Sequence, residues 1–452
     1  MRGLLLTAAV FAICFVAFAA PFAGLLGWGW FTLFAPHQLA WGGVAGISFN
    51  DLIAAVTIFG WIFAAAVYGE RLLPPNLPIS WLFVLFAIWL IVSQLFSLAP
   101  ELSYPNFERF IIVMVFILLC SALITDKIRI QSMIWVLVLS LALYSIKGAL
   151  FTIATGGGYH VYGPGRTVIG DNNHFGIAIA SILPIIIYRR ATSADTRIML
   201  VLLLLCPVIV IVVLGTQSRG GFITLCLVVA VELWHSGRRL AVMAGVIIIG
   251  IPAILFMPDS WSDRMNTVRE FEQDESFQCR VSAWEVNIAM AIDNPLTGAG
   301  LRVPYHREIV AARLGDNEMA EKARAAHSSY FEVLGGMGFI GFGLYSAILI
   351  FGLANARTIR RLARGKPQLY WADQFGRATQ ISLVAFMVGT ASVSMERWEG
   401  YLLVIVLLNA TLAVVKHETR TRSIENPRNI LLRPIEVTAQ RALANNRNQF
   451  RR

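Results

Sequence analysis

Residues 326–341 read Ala-His-Ser-Ser-Tyr-Phe-Glu-Val-Leu-Gly-Gly-Met-Gly-Phe-Ile-Gly, at the start of an apolar stretch that continues to residue 353. An α-helix needs about 20 mostly apolar residues to cross a bilayer, so this stretch predicts a membrane span. A titratable side chain at the mouth of such a helix is energetically costly, which makes His327 the first candidate functional residue. Glu332 follows about one turn inside the helix, where a carboxylate should face the bundle interior or a wet cavity.

Similar apolar stretches recur along nearly the whole chain of 452 residues, which is 57% hydrophobic and 14% charged. Soluble proteins carry about 25% charged residues. The composition therefore predicts an all-α polytopic membrane protein with no soluble domain large enough to fold alone. The five cysteines include no Cys-x-x-Cys spacing, so we expect neither a disulfide framework nor a zinc site.

About twelve membrane spans are predicted from the apolar stretches. They cover residues 3–20, 51–69, 79–98, 108–124, 130–152, 172–188, 198–215, 220–236, 240–257, 328–353, 377–393 and 398–416. Residues 22–34 are apolar but short, and we interpret them as re-entrant or interfacial. The first residues also resemble a signal peptide with Ala17-Phe18-Ala19 at its cleavage site, but the apolar run continues through Phe34 and favours an uncleaved span.

Lysine and arginine in short loops indicate the orientation, because cytoplasmic loops are enriched in both. The basic loops near residues 127–129, 189–197, 238–239 and 357–366 agree on N-in and C-in only if residues 3–34 make one net crossing.

The predicted parts are residues 1–257 with nine helices, a large periplasmic loop over 258–327 carrying short helices, the last three helices over 328–416, and a basic cytoplasmic tail over 417–452. The tail, with eight arginines and three glutamates after Val415, explains much of the net charge of +10 without nucleic acid and is suited to anionic lipid.

Basic side chains on the outer face oppose the positive-inside bias, so each of them requires a reason. Arg219 lies in Gly-Thr-Gln-Ser-Arg-Gly-Gly over residues 215–221, where one span ends and the next begins. A guanidinium beside glycines and helix N-terminal amides is suited to phosphate, which it binds through two parallel hydrogen bonds. The alternative is an arginine that reaches lipid headgroups. Arg280, just before a loop helix predicted over 282–292, is a second candidate.

His327 is a base near physiological pH, and its place beside the bilayer suits removal of a proton from a hydroxyl. It could instead cap the following helix or bind a headgroup. Glu332 could orient His327, bind a sugar hydroxyl, or pair with a basic group such as Lys147. The glycines at 335, 336, 338, 341 and 343 are interpreted as sites of close helix packing.

Two further outer segments are candidates for substrate contact. Residues 156–166 are glycine-rich, aromatic and basic, ending at Arg166, and they suit a sugar or headgroup as well as an ordinary loop. Asp171, Asn172, Asn173 and His174 open a span, where one side chain is enough to cap the helix. We find no Walker loop, His-Glu-x-x-His or Asp-x-Asp motif, and expect no metal, ATP or nicotinamide cofactor. A reaction on the outer face must then use an activated substrate.

The motifs together resemble a known family. His327-Ser328, with nine residues before Gly338-Phe339-Ile340-Gly341, resembles the signature of the O-antigen ligase and polymerase superfamily. The order of elements is also similar: Arg219-Gly220 at an outer helix end, then a loop with Arg-x-x-x-Trp from Arg280 to Trp284 and Pro-x-x-Gly-x-Gly over 295–300. Residues 171–173 resemble the polar start of a middle span, and the resemblance covers about residues 170–415. The N-terminal part resembles exosortase-associated O-glycosylation ligases.

The resemblance implies a glycosyltransferase of the bacterial inner membrane whose active site faces the periplasm. It implies a donor glycan on undecaprenyl diphosphate, an acceptor hydroxyl on lipid A–core or protein, inversion of configuration, and no metal or cofactor. Arg219 and Arg280 would bind the diphosphate, and His327 would act as base or orient the acceptor hydroxyl. The residues expected to contact substrate are Glu332, Ser328, Asp171, Asn172, Asn173, Arg166 and Trp284.

Three alternatives stay open at the level of sequence. A polymerase would use another lipid-linked repeat as the acceptor and shares these motifs, although the large loop directly before His327 favours a ligase. A transporter of lipid-linked glycans predicts inverted repeats, and none is visible in the sequence. A non-catalytic scaffold has no need for Arg219, Arg280 and His327 on one side of the membrane.

Overall fold

A computed structural model describes residues 2–39, 48–69, 72–235, 239–259, 261, 265, 275–315 and 318–425, and in these residues the regular elements are helices. The α-helices are α1 (Arg2–Ala19), α2 (Pro21–Phe34), α3 (Phe49–Tyr68), α4 (Pro78–Leu95), α5 (Pro100–Leu123), α6 (Lys127–Ala154), α7 (Asn172–Thr192), α8 (Thr196–Gly215), α9 (Arg219–His235), α10 (Arg239–Gly245), α11 (Ile251–Leu255), α12 (Glu275–Asp293), α13 (Arg307–Leu314), α14 (Glu318–Glu321), α15 (Ser329–Ala363), α16 (Tyr370–Gly389) and α17 (Glu399–Glu425). A π-helical turn, Val246–Gly250, joins α10 to α11.

The all-α membrane class is confirmed, and each predicted span contains a helix. Within the described residues, eight helices are long and apolar enough to cross a membrane: α3 to α8, α15 and α17. The segments Gly3–Ala19 and Met243–Leu255 are apolar but shorter. The number of crossings therefore stays a prediction.

The first two helices form an antiparallel hairpin instead of one net crossing. Pro21 begins α2 directly after α1 ends, because a proline cannot continue the preceding helix but fits the first turn of a new one. A Cβ on Gly24 would lie 2.5 Å from Ala17 Cβ, and one on Gly27 would lie 2.6 Å from Ile13 Cγ2. The pairing of these positions in reverse order fixes the hairpin, and the two glycines permit its close packing.

The hairpin does not fit the single net crossing on which the N-in and C-in arrangement depends, and the sidedness of the chain stays a prediction. α2 runs parallel to α6, since the Arg129 guanidinium lies 5.2 Å from the ring of Phe22 and the rings of Phe34 and Tyr144 are 5.3 Å apart. α1 therefore starts at the end of the bundle away from Arg129. The last helix finishes near Arg129, because His417 lines the same cavity. The two termini of the described chain thus lie at opposite ends of the bundle.

Three of the basic loops that were predicted to share the cytoplasm, near residues 127–129, 189–197 and 357–366, meet at one end of the bundle, which we call the basic end. The Lys127 ammonium lies 5.4 Å from the Trp371 ring, and the Arg189 guanidinium lies 4.6 Å from the Trp135 ring. The opposite end, where α5, α7, α9, α15 and α17 begin, is called the site end. Buried residues of α1 to α9 and α15 to α17 form one continuous apolar core between the two ends.

The described part of the loop before α15 packs as a small cap on the site end. It carries α12, α13 and α14. Its own core includes Val286, Met290, Val303 and Val310, and it is joined to the membrane bundle through Leu98 between α4 and α5. The Leu98 amide donates to the Ala299 carbonyl at 3.0 Å, so the cap is also hydrogen-bonded to the bundle.

The cap is anchored at a break in α15. Gly338 has φ 69° and ψ −173°, which interrupts the helix and frees backbone groups for other partners. The Ala299 amide donates to the Gly335 carbonyl at 2.9 Å, the Gly300 amide to the Gly336 carbonyl at 3.0 Å, and the Phe339 amide to the Pro295 carbonyl at 2.9 Å. The Pro-x-x-Gly-x-Gly segment therefore docks on the Gly-rich part of α15.

α4 completes this junction with polar side chains. Ser93 Oγ bonds to the Thr297 carbonyl at 2.8 Å and the Gly336 carbonyl at 3.0 Å, and Trp89 Nε1 donates to the Met337 carbonyl at 3.1 Å. Close packing, as predicted, holds at Gly341, where an added Cβ would lie 3.2 Å from the Trp89 ring. It does not hold at Gly343, where an added Cβ would meet open space.

Candidate active site

The start of α15 is fixed to the loop between α16 and α17. The Ser329 amide and hydroxyl both donate to the Val393 carbonyl at 3.0 Å, and the Met395 amide donates to the Ser329 hydroxyl at 2.8 Å. His327 stands just before this anchor with φ 46°, a left-handed conformation that is uncommon for a residue with a side chain. Its side chain is partly exposed to solvent. Ser328 Oγ is buried and has no hydrogen-bond partner among the described residues.

The Glu332 carboxylate connects the segments that surround His327 through hydrogen bonds. Its Oε1 accepts hydrogen bonds from the Tyr305 hydroxyl, from Ser394 Oγ at 2.8 Å and from the Ala326 amide at 3.3 Å. These donors come from the cap, the α16–α17 loop and the residue next to His327. Glu332 is only 4% exposed, so these contacts favour the prediction that it orients His327 over the prediction that it binds a sugar hydroxyl.

Charged groups around His327 affect its basicity. Partial burial lowers its pKa below the usual value, and the positive charges of Arg280, His174 and Arg302 lower it further, while Asp171 opposes them. The ring is therefore neutral near pH 7 and able to accept a proton. These neighbours also show that the structure brings the loop residue Arg280 and the start of α7 close to His327.

The polar start of α7 is more than a helix cap. Asp171 caps the helix by accepting from the Asn173 amide at 2.8 Å, and it also lies 3.2 Å from His174 Nδ1. The bond with His174 is the main reason that the pKa of Asp171 falls to about 2. His174 Nε2 lies 3.2 Å from the Ser394 carbonyl, which holds the ring between α7 and the α16–α17 loop. Asn172 Nδ2 donates to the Thr216 carbonyl at 2.9 Å.

The bond from Asn172 positions the turn that carries Arg219. Gln217 in this turn has φ 51° and donates from Nε2 to the Gly157 carbonyl at 2.9 Å. A Cβ on Gly220 would lie 2.9 Å from Ser392 Oγ, so the turn also packs on the α16–α17 loop. Half-buried Arg219 thus begins α9 at the site end, where the helix N-terminus contributes partial positive charge.

Trp284 holds the segment that ends at His327. Its Nε1 donates to the Ala326 carbonyl at 2.8 Å, and its ring stacks on Phe331 with centroids 5.0 Å apart. Ala326 is therefore held by Glu332 through its amide and by Trp284 through its carbonyl. These contacts indicate a structural role for a residue that the resemblance suggested for substrate contact.

Arg166 lies apart from this cluster. It has φ 56° and lines a separate cavity together with His37, Asp51, Arg109 and Arg397. Asn173 stays with the α7 start, where its Nδ2 lies 3.4 Å from Asn172 Oδ1. Within the described residues, no group of three or more histidine, cysteine, aspartate or glutamate side chains is arranged to hold a metal ion.

Three charged residues that were not selected from the sequence also lie at the site end of the bundle: Arg302, Glu396 and Arg397. Arg302 carries a raised pKa because Tyr305, Glu396 and Glu332 outweigh the effect of its burial. Glu396 and Arg397 are 5% and 9% exposed at the head of α17. A charged pair between two apolar spans is expensive, and this placement was the signal in the sequence.

The helices and the polar cluster at one end define a class: an α-helical membrane protein with a charged site at one end of its bundle. Residues 200–346 match the O-antigen ligase family, which supports the resemblance to a superfamily of ligase- or polymerase-type membrane enzymes. The match includes Arg219, Arg280, His327 and Glu332. Residues 1–186 match a family of unknown function. No curated protein matches the chain.

Proposed function

We propose that the chain transfers a glycan from an undecaprenyl-diphosphate carrier to an acceptor hydroxyl at the periplasmic face of a bacterial inner membrane. The observation that supports this most is the convergence at the site end. There, His327, with a lowered pKa, lies among the charges of Arg280, Arg302 and Asp171, beside the starts of α7 and α15. Donor, acceptor and inversion of configuration are parts of the proposal.

Arg219 and Arg280 bind the diphosphate of the donor in this proposal. A guanidinium keeps its charge at any physiological pH and can form two parallel hydrogen bonds to phosphate oxygens. The N-terminus of α9, which Arg219 begins, adds partial positive charge. Negative charge grows on the leaving diphosphate during transfer, and donors that are already in place stabilise it most effectively there. The proposal therefore needs no metal ion.

His327 acts as the general base. The acceptor oxygen forms a bond to the anomeric carbon from the face opposite the diphosphate, which inverts the configuration. His327 takes the hydroxyl proton, while the bond between the anomeric carbon and the diphosphate oxygen breaks and its electron pair stays with the diphosphate. General-base help of this kind contributes about 10²- to 10⁴-fold. The lowered pKa keeps the ring in the neutral form that this step requires.

Glu332 and Trp284 are positioning residues in this mechanism. Both bond the backbone of Ala326, the residue before His327, from different sides. Loss of either contact would let the segment move, and small displacements of a catalytic group reduce the rate strongly.

A ligase acting on lipid A–core or protein is the form of the reaction that we favour, because a folded cap stands directly beside His327 and offers a surface to a large acceptor. A polymerase joining lipid-linked repeats uses the same donor chemistry. The two differ in the product that accumulates when activity is lost.

The test is a deletion strain complemented with wild type, His327→Ala or His417→Ala, followed by gels of glycans and lipid-linked intermediates. His417 is an exposed histidine at the basic end and provides the matched control. We expect His417→Ala to restore the wild-type pattern and His327→Ala to fail. Long glycan missing from its final carrier, with lipid-linked polymer accumulating, identifies a ligase, whereas accumulation of single lipid-linked repeats identifies a polymerase. A wild-type pattern with His327→Ala refutes the role of the histidine.

A further inference from the structure

A second polar cavity of about 380 Å³ lies at the site end, between α2, α3, α5 and the segment before α7. Fifteen of its seventeen described lining residues belong to residues 1–186, and the other two, Arg397 and Glu399, stand at the head of α17. Arg219, Arg280 and His327 do not line it. The cavity therefore belongs mainly to the region that matches a family of unknown function.

Three arginines give the cavity a positive character. Arg109 and Arg166 are exposed at its mouth, and neither forms a side-chain hydrogen bond or ion pair with the described residues. Arg397 lies deeper, is 9% exposed, and donates a hydrogen bond to Asn106 at a long 3.4 Å. Glu396 and Glu399 offset part of its charge, but burial outweighs them and lowers the pKa of Arg397, so an anion in the cavity would stabilise this guanidinium.

The cavity has two carboxylates against three arginines, so they offset this positive charge only in part. Asp51 stands in the first turn of α3 and Glu399 in the first turn of α17, where each compensates the positive end of its own helix. Their oxygens can still accept hydrogen bonds from hydroxyl groups. His37 adds a ring nitrogen, Nδ1, that is buried without a hydrogen-bond partner among the described residues.

Aromatic side chains form the apolar part of the lining. Trp28 and Phe31 are 1% and 3% exposed, and Phe116 lies behind them on α5. Apolar ring faces suit the C–H faces of a compact ligand, and the arginines and carboxylates suit its polar edges. A sugar ring that carries an acid group combines these features.

We propose that this cavity binds an anionic, hydroxyl-bearing group, with Arg109, Arg166 and Arg397 holding its carboxylate or phosphate and Asp51 and Glu399 accepting from its hydroxyls. An acidic sugar of a glycan and a glycerol phospholipid headgroup share this chemistry. The proposal goes beyond the transfer reaction and assigns a binding function to the N-terminal region. Binding to the cavity can be measured without the transfer reaction, so the test of this proposal is independent of the catalytic role of His327.

The experiment measures binding of glucuronate to the full chain in phosphatidylcholine nanodiscs by saturation-transfer NMR. Glucose serves as the neutral comparison. We expect saturation transfer to glucuronate to exceed that to glucose and to be competed by inorganic phosphate. The double variant Arg109→Gln/Arg166→Gln should weaken glucuronate binding by about tenfold or more, because two charge-assisted hydrogen bonds are lost. Both side chains are exposed, so the fold should persist, as gel filtration and circular dichroism will show.

The matched control is Arg361→Gln/Arg364→Gln, which removes two exposed arginines from the end of α15 far from the cavity. Wild-type glucuronate binding in this control, with loss in the cavity variant, supports the proposal. Repeating the measurement in phosphatidylglycerol nanodiscs distinguishes the sources: a reduced signal identifies the lipid headgroup as occupant, and an unchanged signal identifies the glycan. Equal probe binding by wild type and the cavity variant, no binding by wild type, or loss only with Arg219→Ala overturns the proposal.

Discussion

Replacement of Gly338 by alanine tests whether the break in α15 holds the cap on the bundle. The backbone at Gly338, with φ 69° and ψ −173°, lies in a region that is nearly exclusive to glycine. A Cβ there would also stand 2.3 Å from the Leu296 carbonyl oxygen and 2.6 Å from its carbon, which are backbone atoms that cannot rotate away. Backbone strain of about 1–3 kcal/mol and overpacking of about 1–3 kcal/mol together predict a cost of roughly 2–6 kcal/mol.

Hydrogen exchange of the full chain in detergent provides the local measurement. The amides of Ala299, Gly300 and Phe339 bond across the junction, so they report its opening. Since each 1.4 kcal/mol corresponds to a factor of ten, their exchange should accelerate by between about thirtyfold and twenty-thousandfold. Transfer activity should fall in parallel, because the displaced cap carries Arg280 and Trp284.

Gly343→Ala is the matched control in the same helix. An added Cβ at Gly343 meets no atom within 4 Å, so the change should stabilise the helix by about 0.5–1 kcal/mol. If Gly338→Ala leaves exchange at the junction unchanged, or perturbs it no more than Gly343→Ala does, the assignment of the break as the anchor is wrong.

Three further predictions concern positioning, pH and the bundle core. Trp284→Phe keeps the aromatic stack but removes the bond to Ala326. Its kcat should fall about ten- to hundredfold with little change in the KM for donor. Arg280→Gln removes a positive charge that lowers the pKa of His327, so the acidic limb of the kcat/KM profile should move to higher pH. Asn409→Leu breaks hydrogen bonds to two polar side chains in the core. It should lower stability by about 1 kcal/mol in detergent unfolding titrations.

Much of the architecture was predictable because a membrane span is a local property of the sequence. The apolar stretches predicted the positions of the helices. The basic loops near Lys127, Arg189 and Lys366 were placed together in the prediction, and they lie at one end of the bundle. The hairpin of α1 and α2 was missed because its evidence is a pairing between Gly24 and Ala17 and between Gly27 and Ile13. Only Pro21, which lies between the predicted span 3–20 and the segment 22–34, marked the turn locally.

The candidate site was predictable in part for the same reason. His327, Arg219 and Arg280 are polar residues at the ends of apolar stretches, which a single sequence can reveal. The structure adds contacts across long separations, such as Ser394 with Glu332, that no periodic pattern encodes. Arg397 was passed over because its significance depends on the cavity that it shares with Arg109, almost three hundred positions earlier in the chain.

The junction at Gly338 also restricts how the length of this chain can vary. Between Ser329 and Gly338 the helix is clamped at both ends, by the α16–α17 loop and by the cap. An inserted or deleted residue in this interval would turn one clamp relative to the other by about 100° and shift it by about 1.5 Å. The segment between His327 and Gly338 should therefore tolerate substitutions far better than insertions or deletions. An engineered homologue should keep the length of this segment unchanged.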